Sequence, residues 1–270
     1  MTLKRSLCVL LVALTVGLSV GLVFSADSPI LDRVLKNSVL KVGMSGNQAP
    51  MNARTRAGQM MGLEVDLATM LAAAMEVELE IVTRPFPELL PALHRGEVDI
   101  VMSGMTITSK RAAEVSFVGP YMLSGKSILT KSDLLAAADE AEDINEEHLT
   151  ITVLRDSTSQ TFVEKYLPRV KLVATDDYDS AVKLVIDGDA DVMVADMPVC
   201  VVSVLKYPEA DLETLTRPLT VEPFGIAVPA ADVQLLNLIE NYFETIKEMG
   251  ALENLKRKWL DNGTWLDSLR

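Results

Sequence analysis

The segment DIVMSGMTITSKR, residues 99–111, indicates the fold of this chain. Its apolar run is typical of a strand buried on both faces of a parallel sheet. Thr108 then stands where the N-cap of a helix is expected, and Arg111 follows within one turn. Backbone N–H groups and a guanidinium would therefore meet at the carboxyl end of a strand, which predicts a carboxylate or phosphate site. The alternative is a surface helix with a solvated arginine.

A second copy of this pattern favours the anion site. GEVDIVMSGM, residues 96–105, matches GDADVMVADM, residues 188–197, at an offset of 92 residues. The two segments share a glycine, an aspartate, a buried strand and a polar residue after the strand, all separated by the same 92 residues. This repeat predicts two similar lobes. One lobe presents Arg111 beyond this strand, and the other presents Asp196. A cation and an anion that face each other across a cleft suit a zwitterionic ligand.

Both halves of the chain alternate strand and helix patterns before these two segments. The first half has apolar stripes of helical spacing within residues 63–75 between strand patterns at 39–44 and 77–81. The second half has strand patterns at 150–154 and 171–174, separated by a helix pattern. These runs predict an α/β fold in which each lobe holds a mostly parallel sheet flanked by helices, with ligand sites at the carboxyl ends of strands.

Composition and charge exclude several classes of function. The chain has 270 residues and a formal net charge of −13, so neither nucleic acid nor anionic lipid is an expected partner. His94 and His148 are the only histidines, which gives no support to a histidine metal cluster or a Ser-His-Asp triad. We expect no metal, no cofactor and no catalytic residue. The acidic run at 139–147 favours a solvated loop over a metal site.

Residues 1–25 have the pattern of a secretory signal. Lys4 and Arg5 precede an uncharged apolar run, and the small residues Ser25 and Ala26 follow it. Cleavage after Ser25 would remove two positive charges, change the net charge from −13 to −15, and place the mature chain in the periplasm. A retained membrane anchor is the alternative, because the run is long enough for a marginal span. Cys200 would then be the only cysteine left, within an apolar stretch typical of a buried thiol.

Four motifs, one of them within the segment at 99–111, make the mature chain resemble the family-3 extracellular solute-binding proteins, the periplasmic amino-acid-binding components of ABC importers. They are GLEVDLA at 62–68, SGMTITSKR at 103–111, FVGPY at 117–121 and EPFGIA at 222–227. The resemblance implies a two-lobed clamshell with two hinge crossings, expected near residues 129–132 and 218–222. Lobe 1 would comprise residues 26–130 and 222–270, and lobe 2 residues 131–221.

The resemblance also implies roles for particular residues. Arg111 would bind the ligand α-carboxylate, helped by backbone groups near Ser103 and Gly104 and by the Thr106 hydroxyl. From the second lobe, Thr158 would add a carboxylate contact and Asp196 would take the α-amino group. The implied function is capture of the ligand between the lobes and delivery to an ABC permease by a monomeric protein.

The chain departs from the family pattern at several ligand positions. Ser45 stands where many relatives carry an acidic residue, and Gln48 stands in a region where relatives carry aromatic residues. Phe86 is then the expected aromatic platform. Asp156 replaces a frequent glycine in the second-lobe loop. Without an acidic residue at position 45, a cationic ligand side chain is disfavoured, and a small amino acid or a related carboxylate is expected.

Two other functions stay open. Some proteins of this fold resemble dehydratases that act on cyclohexadienyl amino acids, in which case Glu222 or another pocket carboxylate would serve as general acid. The same clamshell could also sense a ligand for a membrane partner on another chain. We expect a binding protein and not an enzyme.

Overall fold

The structure is a computed structural model, and it describes residues 28–269. The predicted signal sequence and its cleavage position lie outside these residues. Two five-stranded sheets flanked by helices, together with a small three-stranded sheet, form the described part of the chain. The predicted α/β fold class is confirmed.

The strands, in chain order, are β1 Val39–Met44, β2 Asn47–Gln48, β3 Asn52–Arg54, β4 Met60–Met61, β5 Glu78–Thr83, β6 Ile100–Val101, β7 Ser116–Ser124, β8 Lys126–Thr130, β9 Thr150–Leu154, β10 Lys171–Thr175, β11 Val192–Asp196, β12 Glu213–Thr214 and β13 Glu222–Val228. The α-helices are α1 Pro29–Asn37, α2 Leu63–Ala74, α3 Leu89–His94, α4 Ser109–Ala112, α5 Asp133–Ala136, α6 Thr158–Tyr166, α7 Tyr178–Asp187, α8 Met197–Lys206, α9 Val233–Glu248 and α10 Ala251–Lys256. Short 3₁₀ segments occupy Phe86–Glu88, Ala141–Ile144, Pro208–Ala210 and Thr264–Ser268, and a π-helical turn occupies Arg257–Asp261.

The first sheet has the strand order β5-β1-β6-β13-β7. β1 runs parallel to β5 and β6, and α2 and α3 supply the crossover connections that parallel neighbours require. α2 buries Leu63, Leu67 and Leu71, which are spaced four residues apart and so share one face. The predicted β-α-β-α-β run is confirmed here. β13 returns from late in the chain and runs antiparallel to β6 and β7.

The second sheet repeats this arrangement with the order β10-β9-β11-β8-β12. β9 runs parallel to β10 and β11, with α6 and α7 as crossovers. β6 and β11 begin at Ile100 and Val192, the two positions that the repeat in the sequence equates. Each of the two strands has one parallel and one antiparallel neighbour. Four of the five strands in each sheet run in one direction, so the prediction of mostly parallel sheets is confirmed, and β13 and β8 are the strands that run against the others.

Strand β8 also corrects the expected lobe boundary. We expected residues 126–130 in the first lobe, but β8 pairs antiparallel with β11 and β12 in the second sheet. The chain therefore passes from one sheet to the other at Gly125. A Cβ atom there would lie 2.0 Å from the carbonyl oxygen of Thr220, so glycine allows the two crossing segments to touch. The rest of the lobe division stays a prediction.

The segments that carry the candidate site come at the carboxyl ends of the two central strands. Residues 103–111 follow β6, and Asp196 is the last residue of β11. Both faces of β6 and β11 are covered, and Ile100, Val101, Val192 and Val194 are fully buried. None of the helices within residues 28–269 has the length and apolar character needed to cross a bilayer.

Candidate functional site

Arg111 lies between the two sheets. Its backbone N–H donates to the Thr108 hydroxyl at 3.2 Å, which confirms Thr108 as the N-cap of α4. Its guanidinium donates to the carbonyl oxygen of Thr106 at 3.0 Å and to that of Asp156, in the second-sheet loop, at 3.4 Å. The guanidinium carbon also stands 5.6 Å from the centre of the Phe86 ring, within range of a cation–π contact.

No acidic side chain of the described residues comes within 4 Å of the Arg111 guanidinium. The side chain is half-buried, and burial lowers the pKa of Arg111 from its ordinary value, an effect that Asp196 and Glu222 partly oppose. An arginine stays protonated under such a shift. Among residues 28–269, the site therefore offers a partly desolvated cation that donates to two neutral carbonyl groups.

Thr106 and Thr158 approach each other from opposite sheets. Their hydroxyl oxygens are 3.3 Å apart, and Thr158 is the first residue of α6, directly after its N-cap Ser157. Thr106 is buried beside Arg111. The structure thus gathers four of the predicted site residues, Arg111, Thr106, Thr158 and Phe86, into one cleft, while their roles toward a ligand stay predictions.

Asp196 ends β11, as the repeat predicted, but it has a partner that the sequence analysis missed. Lys126 at the start of β8 is completely buried, and its Nζ donates to Asp196 Oδ1 at 2.7 Å and to Thr158 Oγ1 at 2.6 Å. The Glu222 carboxylate lies 3.7 Å from the same nitrogen. Burial raises the pKa of Asp196, and the Lys126 ammonium opposes that shift. The sequence feature that could have indicated this ion pair is a lysine at the start of a strand whose residues are all buried.

The Gly104 N–H and the Ser103 hydroxyl are already hydrogen-bonded within the protein, and the role of backbone groups near these two residues toward a ligand stays a prediction. The Gly104 N–H donates to Glu64 Oε1 at 2.6 Å, and the Ser103 hydroxyl accepts the Ser45 N–H at 3.0 Å. Glu64 is fully buried and also accepts hydrogen bonds from Asn52 Nδ2 at 2.5 Å and from the Tyr121 hydroxyl. Burial raises the pKa of Glu64, and its three donors oppose the shift. This carboxylate fixes the loop after β6 from within the first lobe.

Ser45 and Gln48 lie beside the same loop. The Ser45 hydroxyl donates to Asn52 Oδ1 at 3.1 Å. Gln48 is buried, and its Oε1 has no hydrogen-bond partner among the described residues. A Cβ on Gly104, whose φ is +54°, would lie 2.1 Å from Gln48 Nε2, so glycine is required for this close approach.

A cavity of about 500 Å³ opens in front of Arg111. Its inner wall is apolar, from Phe86, Leu90 and Met105, and Arg111 and Thr158 supply polar groups. Asp196 and Lys126 do not line it. Within residues 28–269, no cluster of three or more histidine, cysteine, aspartate or glutamate side chains is placed to hold a metal ion.

Known proteins share sequence with this chain over most of its length. The profile of the bacterial extracellular solute-binding proteins, family 3, matches residues 40–262. A probable histidine-binding protein of Neisseria gonorrhoeae is 28% identical over 82% of this chain and 82% of its own length. The cyclohexadienyl dehydratase of Pseudomonas aeruginosa is 26% identical over 87% of this chain and 88% of its own.

Among solved structures, a putative binding component of an ABC transporter from Wolinella succinogenes, complexed with lysine, superposes with a TM-score of 0.81. It is 30% identical, and the match covers 85% of this chain and 99% of that one. The family profile matches most of the chain, and the solved structure has a similar fold. Both comparisons therefore indicate the same family. The chain belongs to the bacterial extracellular solute-binding proteins of family 3.

Proposed function

We propose that this protein captures a small amino acid or a related carboxylate between its two lobes and delivers it to an ABC permease. The observation that carries the proposal is Arg111, a half-buried cation without an acidic partner among residues 28–269, facing a cavity between the lobes. A planar guanidinium can donate two parallel hydrogen bonds to a carboxylate. Thr158 adds a hydroxyl from the other lobe.

A thermal-shift screen of amino acids and small carboxylates tests this proposal. A ligand that binds only the folded state raises the melting temperature in proportion to the logarithm of its concentration. Compounds that raise it are then titrated by calorimetry. We expect at least one carboxylate to bind with micromolar or tighter affinity, about 8 kcal/mol, which a few charge-assisted contacts can supply. A panel without any binder would contradict the proposal.

The partner and the location belong to the same proposal. Relatives that are components of ABC transporters support a permease as the partner. We propose that residues 1–25 direct export to the periplasm and are removed, leaving Ala26 as the first residue. Mass spectrometry of the protein from a periplasmic extract would show that terminus, whereas a retained anchor would leave the protein in the membrane fraction. Stimulation of a reconstituted permease by the loaded protein would distinguish uptake from sensing.

Dehydration of a cyclohexadienyl carboxylate is a second candidate function. The similarity to a cyclohexadienyl dehydratase favours it, and Glu222 and Asp196 are carboxylates within 4 Å of Lys126 at the cleft. One of them would have to donate a proton to the ring hydroxyl, which leaves as water while the ring carboxylate leaves as carbon dioxide and its bonding electrons complete the aromatic ring. Incubation with prephenate and with arogenate, followed by chromatography for the aromatic product, decides between enzyme and binder.

A further inference from the structure

Lys126 binds the carboxylate of Asp196, the residue to which the resemblance assigns the amino group of a bound amino acid. Its side chain has no exposed surface, and its ammonium is hydrogen-bonded to Asp196 and to Thr158. Glu222 stands on another side of the ammonium at 3.7 Å, slightly too far for a hydrogen bond. The carboxylate that could hold a ligand ammonium already holds one from the protein.

A second ammonium on Asp196 would be opposed by the first. Two ammonium nitrogens that donate to one carboxylate, each at about 2.8 Å, lie only about 4–5 Å apart. Like charges at that separation repel strongly in a buried site, where water does not screen them. Displacement of Lys126 is also unfavourable, because it would leave a buried cation without its main partner. Glu222 offsets this repulsion only in part, since its carboxylate is shared with the same lysine.

The surroundings of Arg111 differ from those of Asp196. Arg111 lacks an acidic partner among the described residues, whereas the cavity in front of it admits solvent and is walled by Phe86, Leu90 and Met105. A carboxylate there gains a charge-assisted partner without displacing any protein group. The acidic residues Glu114, Asp156 and Glu164 also line this cavity, but they are exposed, and exposed carboxylates hold an ammonium weakly.

We infer that Lys126 is a specificity-determining residue, which fills the ammonium position on Asp196 and makes the site select small carboxylates without an α-amino group. The ligand class is then the 2-hydroxy and 2-oxo acids in preference to the matching α-amino acids. The inference rests on the proposed capture of a carboxylate by Arg111.

Matched pairs of ligands test the inference by isothermal titration calorimetry. The pairs are alanine with lactate, aspartate with malate, and phenylalanine with phenyllactate, all as L-isomers. We expect the wild-type protein to bind the hydroxy acid of at least one pair about tenfold or more tightly than its amino acid. Tighter binding of the amino acid in every pair that binds, or no binding by any of the six compounds, would overturn the inference.

The variant Lys126→Met removes the charge and nearly preserves the volume. With Asp196 released, the affinity ratio should move at least about tenfold toward the amino acid. Lys183→Met, at an exposed lysine paired with Asp187, is the matched control and should leave the ratio unchanged. An unchanged ratio in folded Lys126→Met would overturn the inference.

Two further results distinguish failure of the inference from failure of the variant to fold and from failure of the proposed function. If circular dichroism shows that Lys126→Met does not fold, the double variant Lys126→Met/Asp196→Asn, which buries no charge at these positions, replaces it. Loss of the wild-type preference is then expected, and its persistence would count against Lys126. The proposed function fails separately, when no amino acid or carboxylate in the thermal-shift panel binds at all. Amino acids that bind with a ratio insensitive to Lys126 would overturn only the inference.

Discussion

Replacement of Arg111 by alanine should weaken ligand binding far more than it weakens the fold. In the protein without ligand, the change removes one hydrogen bond of 3.0 Å, one of 3.4 Å and a contact with the Phe86 ring. Hydrogen bonds to neutral groups contribute about 1 kcal/mol each, and removal of a half-buried charge returns part of that. The free energy of unfolding should therefore fall by about 1–2 kcal/mol.

Binding should respond on a different scale. A carboxylate held by Arg111 in a closed cleft loses its counter-charge, and truncation of one partner of such a pair costs about 2–5 kcal/mol. At about 1.4 kcal/mol for each factor of ten, the dissociation constant should rise by about 30-fold to a few thousand-fold. Arg111→Lys keeps the charge but loses the paired donors, so its loss should be intermediate.

Calorimetric titration with the ligand found by thermal shift measures these losses, and chemical denaturation measures the unfolding free energy. Arg169→Ala is the matched control, because Arg169 is an exposed arginine that pairs with Glu146 and Glu147. Its affinity should equal that of the wild type. A dissociation constant of Arg111→Ala within threefold of the wild-type value would show that the carboxylate binds elsewhere and refute the site.

Three other predictions concern buried titratable groups. Asp232→Ala should cost about 2–4 kcal/mol, because Asp232 caps α9 and also accepts two N–H groups of α1. Burial alone would raise the pKa of Asp232, but these N–H groups lower it below its ordinary value. The Asp232 carboxylate should therefore stabilise the fold less as it is protonated in acid. The difference in unfolding free energy between wild type and Asp232→Asn should shrink as pH falls below about 4. Burial raises the pKa of Glu64, so its contribution to the free energy of unfolding depends on pH in the opposite way and weakens as pH rises through the acidic range. Glu64→Gln should remove this pH dependence and lower the free energy of unfolding by about 1–3 kcal/mol, as measured by denaturant titration. Burial raises the pKa of Cys200 to about 12, so the thiol should resist Ellman's reagent in the folded protein at pH 8 and react fully in guanidinium.

Much of the fold follows from local sequence patterns. The helical spacing within residues 63–75 predicted α2, which spans Leu63–Ala74, and the N-cap at Thr108 was predicted from residue type and position. The repeat offset placed β6 and β11 in equivalent positions of two sheets. Such features depend on periodicity and on capping chemistry, which neighbouring residues determine.

Strand pairing and charge pairing were less predictable. Residues 126–130 form β8, but the partner of that strand depends on where the chain crosses between the sheets. Lys126 and Asp196 are 70 residues apart, so no local pattern connects them. In the same way, the Gly104 N–H finds Glu64 across 40 residues of chain. A family pattern gives the residue types at ligand positions. It does not show which of those residues are already bonded to other side chains of the protein.

The contacts between the two lobes suggest how binding and closure are linked. Thr106 meets Thr158 at 3.3 Å, and Arg111 meets the Asp156 carbonyl at 3.4 Å, so long hydrogen bonds to neutral groups join the lobes at the cleft. Each contributes about 1 kcal/mol or less. Closure without ligand is therefore weakly favoured by these contacts. A carboxylate that accepts from both Arg111 and Thr158 adds charge-assisted bonds only in the closed form. Because a ligand shifts a conformational equilibrium by its difference in affinity for the two states, the proposed carboxylate would be the group through which a solute closes the protein.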